Sequence, residues 1–187
     1  MTKIVITGAA GRMGLALIRC SQQRDGIELV GATERAGHEA LGQDVGVLAG
    51  LDSLGVVLTS DLREALAAAD VVIDFTYHTA VPGIATLAAE LGRAVVIGTT
   101  ALDDEECSVV ERAAGKVPVV WAPNMSLGVN LLFAVAKRAA SVLGAGYQVT
   151  VDETHHVHKL DAPSGTALRL GEKVAEGAGV RFDDVMI

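Results

Sequence analysis

One pattern constrains this chain more than any other: short, continuous apolar runs alternate with stretches of helical periodicity along most of its 187 residues. The runs fall at residues 3–7, 27–32, 56–58, 71–75, 94–97 and 117–121, and helical spacing occupies 13–18, 61–69, 79–91, 103–114 and 127–143. A strand that is apolar at successive positions has no face to offer water, so these runs predict a parallel sheet covered by helices on both sides. Half of the residues are hydrophobic but only 3% are aromatic, so the core must be built from Ala, Val, Leu and Ile, sized for close helix-on-sheet packing. The glycine-rich stretch 36–55, mixed in character, reads as a loop of moderate order. From Tyr147 onward polar and apolar residues alternate through Gln148, Val149, Thr150 and Val151, which predicts a half-exposed strand opening a second sheet. The change of pattern places a domain boundary near Ser126, giving domains 1–126 and 127–187.

Charge and cysteine usage narrow the partners. A formal charge of −8 with no basic stripe argues against nucleic acid, whose phosphates are bound by clustered Lys and Arg. Cys20 and Cys107 stand far apart without metal-like spacing, as expected for a protein of a reducing cytoplasm. Met1 leads straight into a strand with no signal-peptide pattern. The longest apolar stretch, 127–136, ends at Lys137 and Arg138 and is too short for a bilayer, so no membrane partner is expected.

Between the first run and the first helix stands Gly8-Ala9-Ala10-Gly11-Arg12-Met13-Gly14. Backbone N–H groups at a helix N-terminus attract phosphate, and glycines let it come close, so this turn predicts a dinucleotide site in a Rossmann-type, doubly wound α/β sheet. Its spacing, G-x-x-G-x-x-G, departs from the common G-x-G-x-x-G, but the strand-turn-helix context is present. Glu34, 20 residues after Gly14, can accept from the adenine-ribose hydroxyls, which favours NADH. Arg35 beside it offers a planar fork to a 2′-phosphate, which keeps NADPH open. Gly98, Thr99 and Thr100, and likewise Ala122, Pro123, Asn124 and Met125, follow predicted strands at the sheet's carboxyl edge, where small residues leave room for a nicotinamide.

The densest chemistry lies between Glu153 and Ala167. His155, His156, His158 and Lys159 fall within five positions, and Ser164-Gly165-Thr166 opens an apolar-periodic helix whose N-terminal N–H groups form an anion site, most simply for a carboxylate. A metal held by imidazole nitrogens is the competing reading. On an extended strand His156 and His158 share one face while His155 opposes them, and a metal explains neither the lysine nor the Ser-Gly-Thr turn, so we assign no metal.

These residues together resemble the dihydrodipicolinate reductases, enzymes of lysine and diaminopimelate synthesis that reduce a cyclic imine dicarboxylate with NADH or NADPH. The resemblance runs from residue 3 to about 174, through the Gly8–Gly14 turn, Val72-Ile73-Asp74-Phe75-Thr76, Gly98-Thr99-Thr100, Asn124-Met125-Ser126-Leu127-Gly128-Val129-Asn130 and the stretch 155–166. It implies that His155 donates or accepts a proton, that Lys159 donates one, and that His156, Gly165 and Thr166 bind substrate. It further implies cofactor binding by Gly8, Ala9, Ala10, Gly11, Arg12, Met13, Glu34, Gly98, Thr99, Thr100, Ala122, Pro123, Asn124 and Met125. A positioned acid suits this chemistry, because hydride delivered to an imine carbon leaves the nitrogen in need of a proton. Val157 departs from the arginine that the family often carries between its second and third histidines. Family members generally continue well past position 187 and assemble as homotetramers through a second sheet, so the α+β substrate domain is expected to be incomplete here. Another Rossmann reductase, or a nucleotide-binding protein without catalysis, is the alternative reading.

Overall fold

The structure, a computed structural model, describes residues 1–155, 157 and 162–186. Strands β1 (Thr2–Thr7), β2 (Ile27–Thr33), β3 (Leu58–Thr59), β4 (Val71–Asp74), β5 (Ala94–Ile97) and β6 (Val119–Trp121) form one sheet in the order β3-β2-β1-β4-β5-β6. Every neighbouring pair is parallel. The chain therefore winds outward from β1 in one direction, returns to pair β4 against its other side, and winds outward again. The ends of β1 and β4 bracket the point where the order reverses, which is where open α/β sheets form a crevice beyond their carboxyl ends. This is the doubly wound sheet that the alternating runs predict.

Successive strand residues point to opposite faces, and β1 shows what that demands. Ile4 and Ile6 pack in one cluster with Ile18, Leu29, Ala32, Val45 and Leu58, whereas Val5 packs in the other with Leu66, Val72, Ile84, Val95 and Val110. Both clusters are buried, so between exposed Thr2 and Lys3 at its start and Thr7 at its end β1 carries only apolar side chains. The covering helices are α1 (Arg12–Ser21), α2 (Val45–Leu48), α3 (Leu62–Ala67), α4 (Val81–Leu91) and α5 (Asp104–Ala114). Their limits are set locally. Asp61 caps α3 by accepting from Glu64 N at 2.9 Å, Gly92 ends α4 in the left-handed region, and Asp103 and Glu106 form a reciprocal capping box on α5.

The stretch 36–55 is more ordered than its glycines predict. The Asp44 carboxylate accepts from the N–H groups of Gly46, Val47, Leu54 and Gly55, at 2.8–3.2 Å, and from the Ser53 hydroxyl at 3.0 Å. One side chain thereby caps α2 and fastens the returning chain to it. These donors, the Leu54 N–H foremost, hold the Asp44 carboxyl at about 2, below its ordinary 3.8, against the opposing effect of burial.

The chain divides after Trp121 into two compact units, 1–121 and 122–187. In the second, α6 (Leu127–Leu143) and α7 (Gly165–Ala178) pack closely enough that a Cβ on Gly177 would lie 2.1 Å from the carbonyl oxygen of Lys137. The strand expected over 147–154 is not formed. Tyr147 has extended backbone angles, but residues 148–155 join no ladder. Alternation supplies a strand's side-chain pattern, yet its N–H and C=O groups need a neighbouring strand, and the described residues of this unit contain none.

Two measurements probe this framework. Gly14 and Gly83 both lie in helices, where alanine gains up to about 1 kcal/mol by propensity. A Cβ at Gly14, however, would sit 2.4 Å from Gly8 O and 2.5 Å from Ala9 Cα, whereas at Gly83 it would meet nothing within 4 Å. Overpacking costs roughly 1–3 kcal/mol or more, so Gly14→Ala should destabilise and Gly83→Ala should stabilise by about 0.5–1 kcal/mol. Denaturant midpoints decide both signs. The second measurement concerns acid. Because the Asp44 carboxyl is lowered in the folded state, its stabilisation is complete above the unfolded value of 3.8 and disappears as pH falls towards about 2. Asp44→Asn should therefore melt below the wild type near neutral pH, with the gap narrowing in acid; a gap unchanged near pH 2 would contradict this.

Candidate functional site

Where β1 ends, the chain turns at Gly8 with φ +63°, a left-handed conformation that suits glycine. Gly11 N donates to Gly8 O at 3.0 Å, closing the turn, and Ala9 N donates to Thr33 O at the end of β2, also at 3.0 Å. Gly11 is the N-cap of α1 and brings no side chain to the helix end, so its first-turn N–H groups carry no side-chain cap. They point along a helix terminus with partial positive charge. Glycine also keeps the walls thin, since a Cβ at Gly8 would stand 3.0 Å from Thr76 Cγ2. An uncapped helix end behind a glycine turn fits a dinucleotide's pyrophosphate. Gly8, Ala9, Ala10, Gly11, Arg12 and Met13 all lie in this turn or in the first residues of α1.

The other expected residues of the first unit lie at the same edge. Half-buried Glu34 and exposed Arg35 follow β2; Glu34 N donates to Thr59 O at 3.0 Å, and Arg35 N donates to Glu34 Oε1 at 3.0 Å. Gly98, Thr99 and Thr100 follow β5. Any side chain at Gly98 would collide with the Phe75 ring, 2.0 Å from an ideal Cβ. Thr99 is buried, its hydroxyl 3.0 Å from Thr76 O and 3.2 Å from Asp74 Oδ2, while its carbonyl accepts from Trp121 Nε1 at 3.2 Å.

Two features of this edge were given no role by the sequence reading. Asp74, wholly buried at the end of β4, accepts from Thr7 Oγ1 at 2.6 Å, Thr76 Oγ1 at 2.7 Å and Thr76 N at 3.3 Å, besides Thr99. The only local signal is an aspartate closing the apolar run Val71-Val72-Ile73. His78 Nδ1 lies 2.8 Å from Glu106 Oε2, joining the segment after β4 to the first turn of α5. No sequence signal pairs these two.

In the second unit, Asn124 binds three ways. Its Oδ1 accepts from Ser126 N at 2.9 Å, its Nδ2 donates to Thr166 Oγ1 at 3.1 Å, and its carbonyl accepts from Asn130 Nδ2 at 3.0 Å. Ala122, Pro123 and Met125 flank it. Gly165 and Thr166 open α7 behind buried Ser164, the N-cap, whose Oγ accepts from Ala167 N at 3.0 Å. Glu153, also unassigned by the sequence reading, accepts from Ser164 N at 2.7 Å and from the Ser164 hydroxyl, and its Oε2 lies 2.8 Å from His155 Nε2. The Ser164 hydroxyl above all, then its N–H and His155, hold the Glu153 carboxyl at about 2, below its ordinary 4.5. One carboxylate thus links the exposed His155 ring to the N-terminus of α7. His156 and Lys159 lie outside the described residues, as do His158 and Asp161. Among the described residues no three His, Cys, Asp or Glu side chains are grouped to hold a metal, and no helix is long and apolar enough to cross a membrane.

Known proteins match this chain along almost all of its length. The profile described as dihydrodipicolinate reductase, N-terminus, matches residues 2–125, and that for the C-terminus of the same enzyme matches residues 128–184. A 4-hydroxy-tetrahydrodipicolinate reductase of Anaeromyxobacter dehalogenans is 54% identical over 179 residues, covering 96% of this chain and 66% of the relative. The enzyme of the same name from Ruegeria pomeroyi is 52% identical, covering 97% and 68%. Among solved structures, the dipicolinate-bound dihydrodipicolinate reductase of Paenisporosarcina sp. TG-14 superimposes with a TM-score of 0.70 at 26% identity, over 95% of this chain and 67% of that one. The chain spans about two thirds of the length of these relatives. The two profiles together match nearly the whole chain, the first over the parallel sheet and its glycine turn and the second over α6 and α7, and the chain belongs to the dihydrodipicolinate reductase family.

Proposed function

We propose that this chain carries the nicotinamide-binding part and the principal acid–base residues of an NADH- or NADPH-dependent 4-hydroxy-tetrahydrodipicolinate reductase. The uncapped N-terminus of α1 behind the Gly8–Gly14 turn is the observation that carries the proposal, because it offers oriented N–H groups to a pyrophosphate and no side chain that would exclude one. In this reading residues 1–126 hold the cofactor and 127–187 begin the substrate domain. Gly8, Ala9, Ala10, Gly11, Arg12 and Met13 bind the pyrophosphate, Glu34 and Arg35 the adenosine ribose, and Gly98, Thr99, Thr100, Ala122, Pro123, Asn124 and Met125 the nicotinamide half. The nicotinamide supplies hydride when bound.

The protein's own part is to hold a dianion and deliver one proton for each hydride. Gly165 and Thr166, at the start of α7, offer N–H groups and a hydroxyl to a carboxylate, and His156 shares the substrate-binding role in this reading. His155, held by Glu153, and Lys159 are the acids. The dicarboxylate is a small molecule; neither nucleic acid nor membrane has a place in this reading, and the working protein is a cytoplasmic homotetramer.

Two experiments test it. Glu34→Ala should weaken NADH more than NADPH, and Arg35→Ala the reverse, since the cofactors differ only at the 2′ position; equal losses in both variants, read by calorimetry, would refute the assignment. In the protein at its relatives' full length, His155→Ala or Lys159→Ala should lower kcat by at least about a hundredfold, the scale of general acid catalysis. Thr166→Val should instead raise KM, because a carboxylate anchor acts in ground and transition states alike. If neither acid variant lost activity while chelators abolished it, the histidines would be metal ligands.

A further inference from the structure

We propose that Asp74 is a positioning residue that fixes the loops of the cofactor edge relative to one another; the proposal rests on the cofactor reading above. Asp74 is fully buried, and its hydrogen-bond partners among the described residues are neutral. A buried carboxylate without a counter-charge is expensive, and an apolar residue would fill the end of β4 at less cost. What the carboxylate adds is direction. Its Oδ1 accepts from Thr7 at the end of β1, one residue before the glycine turn, and from the hydroxyl and N–H of Thr76, against which Gly8 packs. Its Oδ2 takes the hydroxyl of Thr99, in the segment after β5, and the Asp74 carbonyl accepts from Gly98 N at 2.9 Å. Segments far apart in sequence, 7–14, 76 and 98–100, are thereby referenced to a single side chain. Asp74 itself is covered, so it acts on a bound cofactor only through these neighbours.

The test compares wild type, Asp74→Ala, Thr7→Val and Thr7→Ser by backbone amide hydrogen exchange and by NADH titration. Thr7→Val is close to isosteric and removes one hydroxyl, so it keeps the question open to measurement should Asp74→Ala fail to fold. Both Asp74→Ala and Thr7→Val should speed exchange in residues 8–14 and 98–101 together, and weaken NADH by about tenfold or more, as loss of a preorganising shell does. Thr7→Ser, which keeps the hydroxyl, should restore both. If the variants lower the melting temperature but leave exchange in the two segments and the Kd of the folded protein at wild-type values, Asp74 is a strut for the fold and the proposal is overturned. A wild type that binds neither NADH nor NADPH would count against the cofactor reading alone, and the exchange comparison would still decide whether Asp74 couples the two segments.

Discussion

A central strand buried on both faces has only its ends for polar chemistry, and the first unit is organised around how β1 ends. Ile4, Val5 and Ile6 are closed in by the two hydrophobic clusters, so beyond them the first polar side chain is Thr7, and the first backbone free to turn is Gly8. The turn must then be tight enough for α1 to pack back on the sheet. That is why Gly14 sits where no Cβ fits against Gly8 and Ala9. The helix end beside this packed turn carries no side-chain cap, which is the feature on which the proposed pyrophosphate site rests.

Carboxylates do the corresponding work wherever the chain is irregular. Asp44 gathers four N–H groups of a glycine-rich loop, Asp74 ties the threonines of the carboxyl edge, and Glu153 joins His155 to the cap of α7. Each satisfies backbone or hydroxyl donors that no strand or helix takes up. The lowered pKa values of Asp44 and Glu153 are the electrostatic trace of that arrangement, since donors directed at an oxygen favour its ionised form.

What could be read from the sequence was what is local. Apolar runs, helical spacing, the glycine turn and the Ser-Gly-Thr helix start are each written within a few residues, and they lead to the parallel sheet and the family resemblance. Asp74 escaped because its partners Thr7 and Thr99 lie 67 and 25 residues away. Glu153 escaped for the same reason, its partner Ser164 being 11 residues on. The moderate order expected over 36–55 is supplied by one side chain, Asp44, whose contacts to Leu54 and Gly55 are non-local like those of Asp74. The short helix α2 that it caps has too few residues to show a helical period. The strand expected over 147–154 was overrated, because alternation reports side-chain exposure and is silent about whether a neighbouring strand exists to bond.

The carboxyl edge around β1 is where a dinucleotide should settle. An assigned amide-shift map of this chain titrated with NADH tests that most directly. Shifts should concentrate in residues 8–14, 34–35, 76 and 98–100 and saturate together. Saturating shifts centred elsewhere, such as the amino ends of the strands, or no shifts from a folded sample, would contradict it.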